Sequence, residues 1–372
     1  MGTGIGDRGS GTDPVGPALF LLATAPFPDF SVAMAPVGIF PWQRNAALRG
    51  ATPVKGMDEN ETKHQNAESG LLGRVAVIGA GAVGGYYGAR LADAGEDVAF
   101  LSRTHFRRWR AEGITVHSVD GDFRVPAPEV HESPETIGLV DWAVIALKTT
   151  ANHRLPDLLR PLVGPETRLL TLQNGLGNDD LLAEHFGAWR VLGGLCFTCI
   201  NRSPDGVIHH LGQGHITLGE YKRPAGPDSA LVVDAFTRAG IRVRAHDSLE
   251  AIQWRKLVWN VPFNGLAVAE GGLDTQALLA LPDGEKKVRT LMAEVIAVAE
   301  KLGHTFPPDL IDQQIAVTRT MGAYRPSSLI DFLEGRPVET EAIWGEPVRR
   351  AHTLSLPVPA MENLYRRIQE IS

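Results

Sequence analysis

The stretch Arg74-Val-Ala-Val-Ile-Gly79-Ala-Gly81-Ala-Val-Gly84-Gly85 decides the fold. Its first part, Arg74–Gly79, is a short apolar run of the kind found in strands buried on both faces of a parallel sheet. Val83–Ala94 has helical periodicity, and Gly95 ends it at the position where glycine is free of strain. Glu96–Leu101 reads as the next strand, so the segment is one βαβ unit of about thirty residues. A G-x-G-x-x-G pattern by itself is weak. Between a strand and a helix of a βαβ unit it is the dinucleotide-binding fingerprint. Gly79 makes the tight turn, Gly81 lets the backbone approach a pyrophosphate, and Gly84 lets helix and strand pack closely. Free N–H groups at the helix N-terminus face the phosphates. The cofactor loop is therefore expected to be Gly79, Ala80, Gly81, Ala82, Val83 and Gly84.

The end of the second strand selects the dinucleotide. Enzymes that use NAD place Asp or Glu there to bond the ribose 2′-OH. Here the strand ends Leu101-Ser102-Arg103, with no acid, and Arg107 and Arg108 follow. Arg103 stands where a 2′-phosphate would lie and can pair with it. The expected cofactor is NADPH/NADP.

Further along, Ile114–His117 and Phe123–Val125, separated by Asp120-Gly121, read as a hairpin. Asp141–Lys148 and Arg168–Asn174 read as buried strands. Val191–Cys199 and two strands around His209 and Ile216 are expected to close the sheet. After Ser248 the pattern is helical: Leu249–Ala269, Gly284–Leu302, Pro308–Met321, Glu339–Leu354 and Pro359–Ile371. The expected fold is α/β, an N-terminal Rossmann domain (73–246) followed by an all-α C-terminal domain (247–372).

Residues 1–70 are rich in Gly, Pro and Ala and show no sustained period. They read as a disordered tail or as sequence upstream of the true start, with Met34 and Met57 as alternative starts. The apolar run Ala18–Ala25 is too short to span a bilayer, and the stretch before it lacks the positive charge of an export signal. The net charge of −7 gives no reason to expect nucleic acid or an anionic membrane as a partner. Two cysteines in 372 residues make no disulfide framework and fit a cytoplasmic protein. They form Cys196-Phe-Thr-Cys199, a C-x-x-C with no second pair. In a strand its two thiols point to opposite faces, so no metal is expected. The sequence does not fix oligomeric state, and a homodimer is compatible with it.

Within Trp254–Ala269, Lys256, Asn260 and Asn264 recur at i, i+4 and i+8, along one stripe of a helix. The surrounding residues are apolar: Leu257, Val258, Trp259, Val261, Phe263 and Leu266. Two asparagines are poor helix formers in such a setting without a task. A lysine in apolar surroundings has its pKa lowered toward neutrality, which suits an acid that protonates a carbonyl oxygen during hydride transfer. Pro262 inside the run is expected to kink the helix.

These motifs resemble those of the ketopantoate reductase (2-dehydropantoate 2-reductase) family. The resemblance runs from residue 74 to about 370, in order. It takes in the glycine loop with Arg103, then Ala146-Leu-Lys148, then Leu172-Gln-Asn174-Gly175-Leu-Gly177. It continues through Trp254-Arg-Lys256-Leu257 with Asn260 and Asn264, and ends at Ser327 with Gly335-Arg-Pro-Val-Glu339. The resemblance implies that Lys256 is the general acid and that Glu339, also catalytic, sits at the cofactor–substrate junction. It implies that Asn174 bridges cofactor and substrate, that Lys148, Arg103 and Cys199 contact NADPH, and that Asn260, Asn264 and Ser327 bind a small 2-oxo acid. The implied reaction is reduction of 2-dehydropantoate to (R)-pantoate, toward pantothenate and coenzyme A. Two departures bear on the substrate. Asp274 is the nearest residue to where the family usually has another Asn, and Thr340-Glu-Ala-Ile-Trp344-Gly345 differs from the family's usual motif. The alternatives are a reductase of another 2-oxo acid on this scaffold, or an NADP-binding sensor without catalysis. A sensor would need no proton donor, which speaks against the last.

From composition and lack of period, residues 1–56 are expected to be dispensable. A chain starting at Met57 should keep its melting temperature and its turnover, and a large loss of either would show that the segment packs on the enzyme.

Overall fold

The expected βαβ unit forms as β1 (Arg74–Ile78), α1 (Ala82–Asp93) and β2 (Asp97–Leu101), with β1 and β2 parallel and in register from Arg74↔Asp97 to Ile78↔Leu101. The computed structural model describes residues 71–371 together with Met1. The expectations for residues 1–70 fall almost wholly outside the described residues. The chain continues through α2 (Phe106–Glu112), β3 (Ile114–Ser118), β4 (Phe123–Val125), β5 (Glu129–His131), β6 (Val140–Ile145) and α3 (Leu155–Leu159). Then follow β7 (Val163–Thr171), α4 (Asn178–Phe186), β8 (Val191–Arg202), β9 (Ile208–Glu220), α5 (Pro227–Arg238) and β10 (Val243–Ala245).

All these strands join one 10-stranded sheet of order β4-β3-β9-β8-β7-β6-β1-β2-β5, with β10 against β9. The run from β5 to β8 is parallel, and β8 and β9 pair antiparallel. β3 and β4 pair as the expected hairpin. One expectation is corrected. His209 and Ile216 lie on a single strand, β9, and not on two. Gln213 and Gly214 adopt positive φ (65° and 93°) and absorb a register shift against β8, so the chain bulges instead of turning back. The sheet thereby reaches around α1. Gly85 packs against Ile208 and Trp109, while Gly88 packs against Phe100 and Val77.

Ser248 caps the next helix, α6 (Leu249–Ala269), its side chain accepting from the Ala251 N–H at 3.1 Å. α6 is buried nearly all round, as a helix apolar on every face must be. It runs unbroken through Pro262. Around it lie α7 (Thr275–Ala280), α8 (Gly284–Lys301), α9 (Leu310–Thr320) and α10 (Ser327–Leu333). A π-helical turn at Glu341–Gly345 leads into α11 (Glu346–Thr353), and α12 (Pro359–Ile371) ends the described chain. Among the described residues no helix is long and apolar enough to cross a membrane.

The π turn was expected as ordinary helix. Its widening has a local cause: the Ala342 carbonyl accepts the Leu176 N–H at 2.9 Å, from the turn after β7. Both departures noted in the sequence have structural roles. The Asp274 carboxylate caps α7 by accepting the Ala277 N–H at 2.8 Å. Trp344 is a core residue whose indole N–H donates to the Val261 carbonyl at 2.9 Å. That approach needs Gly265, where a Cβ would lie 2.7 Å from the Trp344 indole nitrogen and 2.6 Å from a Leu364 methyl. Gly265→Ala is therefore expected to lower stability by about 1–3 kcal/mol, the usual range for overpacking a core. Denaturant unfolding measures it, and an unchanged midpoint would contradict this packing.

Candidate active site

The glycine loop has the three features expected of it. Gly79 has φ +95°, and a Cβ there would lie 2.5 Å from the Leu147 nitrogen. At Gly84 a Cβ would lie 2.4 Å from the Gly79 carbonyl oxygen. At Gly81 it would meet nothing nearer than 4.0 Å, so this side of the loop is open to a ligand. The α1 N-terminus has no side-chain cap and no acid in its first turn, leaving its N–H groups and dipole for an anion. Arg103 is exposed just after β2 and forms no ion pair among the described residues. Ser102 beside it is buried, and its hydroxyl accepts the His105 N–H at 3.4 Å. Steric space, free donors and a free cation fit a phosphorylated dinucleotide.

Asn174 follows β7 on a turn held by a chain of amides. Gln173 donates to the Leu147 carbonyl (2.9 Å) and to Asn152 (2.8 Å). Asn152 donates to Asn178 (2.8 Å), and Asn178 donates to the backbone carbonyl of Asn174 (2.8 Å). Gly175 has φ +80° and lies so close to Ala342 that a Cβ would be 2.3 Å from its carbonyl oxygen. The turn is thus locked to the π turn of the helical domain.

Lys256, half-buried on α6, meets this turn. Its Nζ donates to Asn174 Oδ1 at 2.7 Å and to the Cys196 carbonyl at 3.0 Å, and lies 5.5 Å from the centre of the Phe197 ring. Burial lowers its pKa below the usual lysine value, partly offset by Cys196 and Glu339. Asn260 is buried one turn on and lines the same pocket, with Thr171, Asn174, Gly193 and Gln253. Asn264, a further turn on, is buried and accepts the Ser328 N–H at 3.0 Å, which ties α6 to the start of α10. Ser327 is exposed at that start.

Lys148 lies just beyond β6, where its ammonium donates to Asp331 at 2.6 Å and stands 3.6 Å from Glu339. Burial works against this charge, but Glu339 and Asp331 outweigh it and raise the Lys148 pKa. Glu339 is buried and also accepts the Thr149 N–H at 2.8 Å, and Arg336 donates to the other Asp331 oxygen at 3.0 Å. Two buried carboxylates of the helical domain thus hold the β6 end of the sheet. Cys199 lies on β8 against Tyr324, whereas Cys196 lies against Tyr87. Burial pushes the Cys196 thiol up to about 11, so it stays protonated.

The structure brings together Asn174, Lys256 and Asn260, and separately Lys148 and Glu339. Sequence reading missed Asp331 and the Gln173–Asn152–Asn178 chain. Gln173 lies inside the Leu172–Gly177 segment, and Asp331 follows Ser327 by one helical turn, but neither position carries a local signal of its own.

Fold and site together define a two-domain, dinucleotide-dependent oxidoreductase. The chain belongs to the ketopantoate reductase family. The ketopantoate reductase PanE/ApbA profile matches residues 75–223, and the profile for the C-terminal part of that family matches residues 248–372. It is 39% identical over 303 residues to the 2-dehydropantoate 2-reductase of a Nostoc species, covering 80% of this chain and 94% of that one. Its structure resembles that of 2-dehydropantoate 2-reductase from Geobacter metallireducens, with TM-score 0.78, 41% identity and coverage of 80% of this chain and 100% of that one. The enzyme of the same name from Methylococcus capsulatus follows at TM-score 0.75 and 33% identity, covering 80% and 96%.

Arg103→Ala is expected to raise the KM for NADPH and leave that for NADH nearly unchanged. Steady-state kinetics with each cofactor tests this, and equal use of both by the wild type would count against it.

Proposed function

We propose that this chain is a cytoplasmic 2-dehydropantoate 2-reductase, converting ketopantoate to (R)-pantoate with NADPH. The observation that carries the reading is the Lys256 ammonium, hydrogen-bonded to Asn174 beside the cofactor loop's strand ends. NADPH, when bound, supplies hydride to the substrate's carbonyl carbon. Arg103 and the glycine loop would hold it, with Lys148 and Cys199 as further contacts.

An ammonium has three N–H bonds. Asn174 and the Cys196 carbonyl take two, which leaves the third for the substrate's carbonyl oxygen. Lys256 gives its proton there as negative charge develops, and its lowered pKa makes the transfer easier. Asn174 aims the ammonium, and the amide chain behind it keeps the turn rigid. Asn260 adds a buried polar group on the same helical face. Asn264 holds the N-terminus of α10 and, with Ser327, shapes the end that takes the 2-oxo acid. Glu339 is a positioning group: through Thr149 and Lys148 it sets the helical domain against the sheet. The capping role of Asp274 and the core role of Trp344 support ketopantoate, because neither departure from the family pattern needs a different substrate to explain it. A panel of 2-oxo acids with NADPH oxidation as readout tests the assignment. It fails if another acid is reduced with a far higher kcat/KM.

Lys256→Ala is expected to leave NADPH binding largely intact and to lower kcat by about 10² to 10⁴, the usual contribution of a positioned general acid. The acid must be protonated to act. Wild-type activity should therefore fall as pH rises through the lowered lysine pKa, and the fall should begin below the ordinary lysine range of about 10.4. That alkaline limb should vanish in the variant. Near wild-type turnover by Lys256→Ala would assign the proton to another group.

A further inference from the structure

We propose that Arg202 is a further cofactor-binding residue, a clamp that takes the pyrophosphate of the dinucleotide from the β8 side of the cleft. The inference rests on the dinucleotide site and not on the choice of 2-oxo acid.

Arg202 is the last residue of β8, still paired in the ladder opposite Ile208 of β9. Its guanidinium reaches back over the glycine loop, where Nη1 donates to the Ala80 carbonyl at 2.8 Å. Ala80 lies between Gly79 and Gly81, so the cation sits at the uncapped N-terminus of α1, on the loop whose Gly81 side is open.

The charges around it point to an anion. No carboxylate pairs with Arg202 among the described residues, although their other arginines form many ion pairs. The charged group that acts on it is basic, Arg336 from the helical domain, and Arg202 in turn acts on His105 behind the loop, where Asp205 is the nearby acid. Burial and Arg336 both lower the Arg202 pKa, and among the described residues the Ala80 carbonyl, but no carboxylate, meets the guanidinium. A guanidinium has five N–H donors, and one is used on Ala80. The others can take two phosphate oxygens side by side, the geometry in which Arg surpasses Lys. A rigid strand end is also a more exact mount for such a group than a loop. Arg103 reads the 2′-phosphate that distinguishes NADPH. Arg202 reads the part that NADPH and NADH share.

The test measures binding without substrate, by calorimetry or by quenching of tryptophan fluorescence, using NADPH, NADH, ADP-ribose and adenosine 2′-monophosphate. Arg202→Ala is expected to weaken NADPH, NADH and ADP-ribose by a similar factor, about 10- to 100-fold for a lost charge-assisted pair. It should leave adenosine 2′-monophosphate, which has no pyrophosphate, unchanged. Arg103→Ala should show the reverse pattern, weakening NADPH and adenosine 2′-monophosphate but not NADH. Arg202→Gln removes the charge and keeps a side-chain N–H donor on a shorter stem, and a melting temperature equal to that of the wild type shows that the loop has not collapsed. Arg202→Gln should bind NADPH nearly as weakly as Arg202→Ala, and Arg202→Lys should recover part of the loss. The proposal is overturned if Arg202→Gln binds NADPH like the wild type, because Arg202 would then only bolt the loop. It is overturned equally if Arg202→Ala loses adenosine 2′-monophosphate as strongly as NADPH.

Discussion

The hydrogen bond from Lys256 to Asn174, 2.7 Å long, joins the sheet domain to the helical domain within the candidate active site. An ammonium withdrawn from water is costly unless its N–H groups are met. Here an amide oxygen from the sheet domain and a backbone carbonyl from β8 meet two of them. Most of the surrounding structure serves to keep those acceptors in place. The amide chain from Gln173 through Asn152 and Asn178 fixes the Asn174 turn from behind. Gly175 and the Ala342 carbonyl fix it from the front, and the helix that supplies that carbonyl widens into a π turn to do so.

The same logic applies at the β6 end. Asp331 and Glu339 are buried carboxylates, stable there only because Lys148, Arg336 and the Thr149 N–H meet them. The helical domain is thus tied to the sheet by charge-assisted bonds that lie beside the glycine loop and Lys256. This explains how residues from separate domains hold one geometry, and why Glu339, distant in sequence from Lys256, still affects its electrostatics.

How far the site could be read in advance depended on how local each feature is. The glycine loop was fully legible, since its turn, open face and close packing belong to a few adjacent residues. The Lys256, Asn260 and Asn264 stripe was legible because helical spacing alone places those residues on one face, although Asn264 proved to be tied to the Ser328 backbone. Asp274 and Trp344 were read as departures that leave the substrate open, and in the fold they are a helix cap and a core side chain. A cap depends on the start of its helix and a core tryptophan on a facing glycine, and α7 lay outside the helical runs read from the pattern. The single strand β9 was divided in two because a bulge at Gln213 and Gly214 looks, in sequence, like a turn.

By itself the sequence determined the order of α/β domain and helical domain, the glycine-rich loop, the absence of an acid after β2, and a lysine–asparagine face on an apolar helix. Each follows from spacing along one element or from a residue at that element's end. Only the tertiary structure decided which groups meet. It set Lys256 against Asn174 across 82 positions of chain, Lys148 against Asp331 across 183, and Arg202 against Ala80 across 122. Those contacts depend on a sheet that curls around α1 and on helices of the second domain packed against it. Periodicity fixes which face a residue occupies, but the contacts made by that face are fixed only when the elements pack.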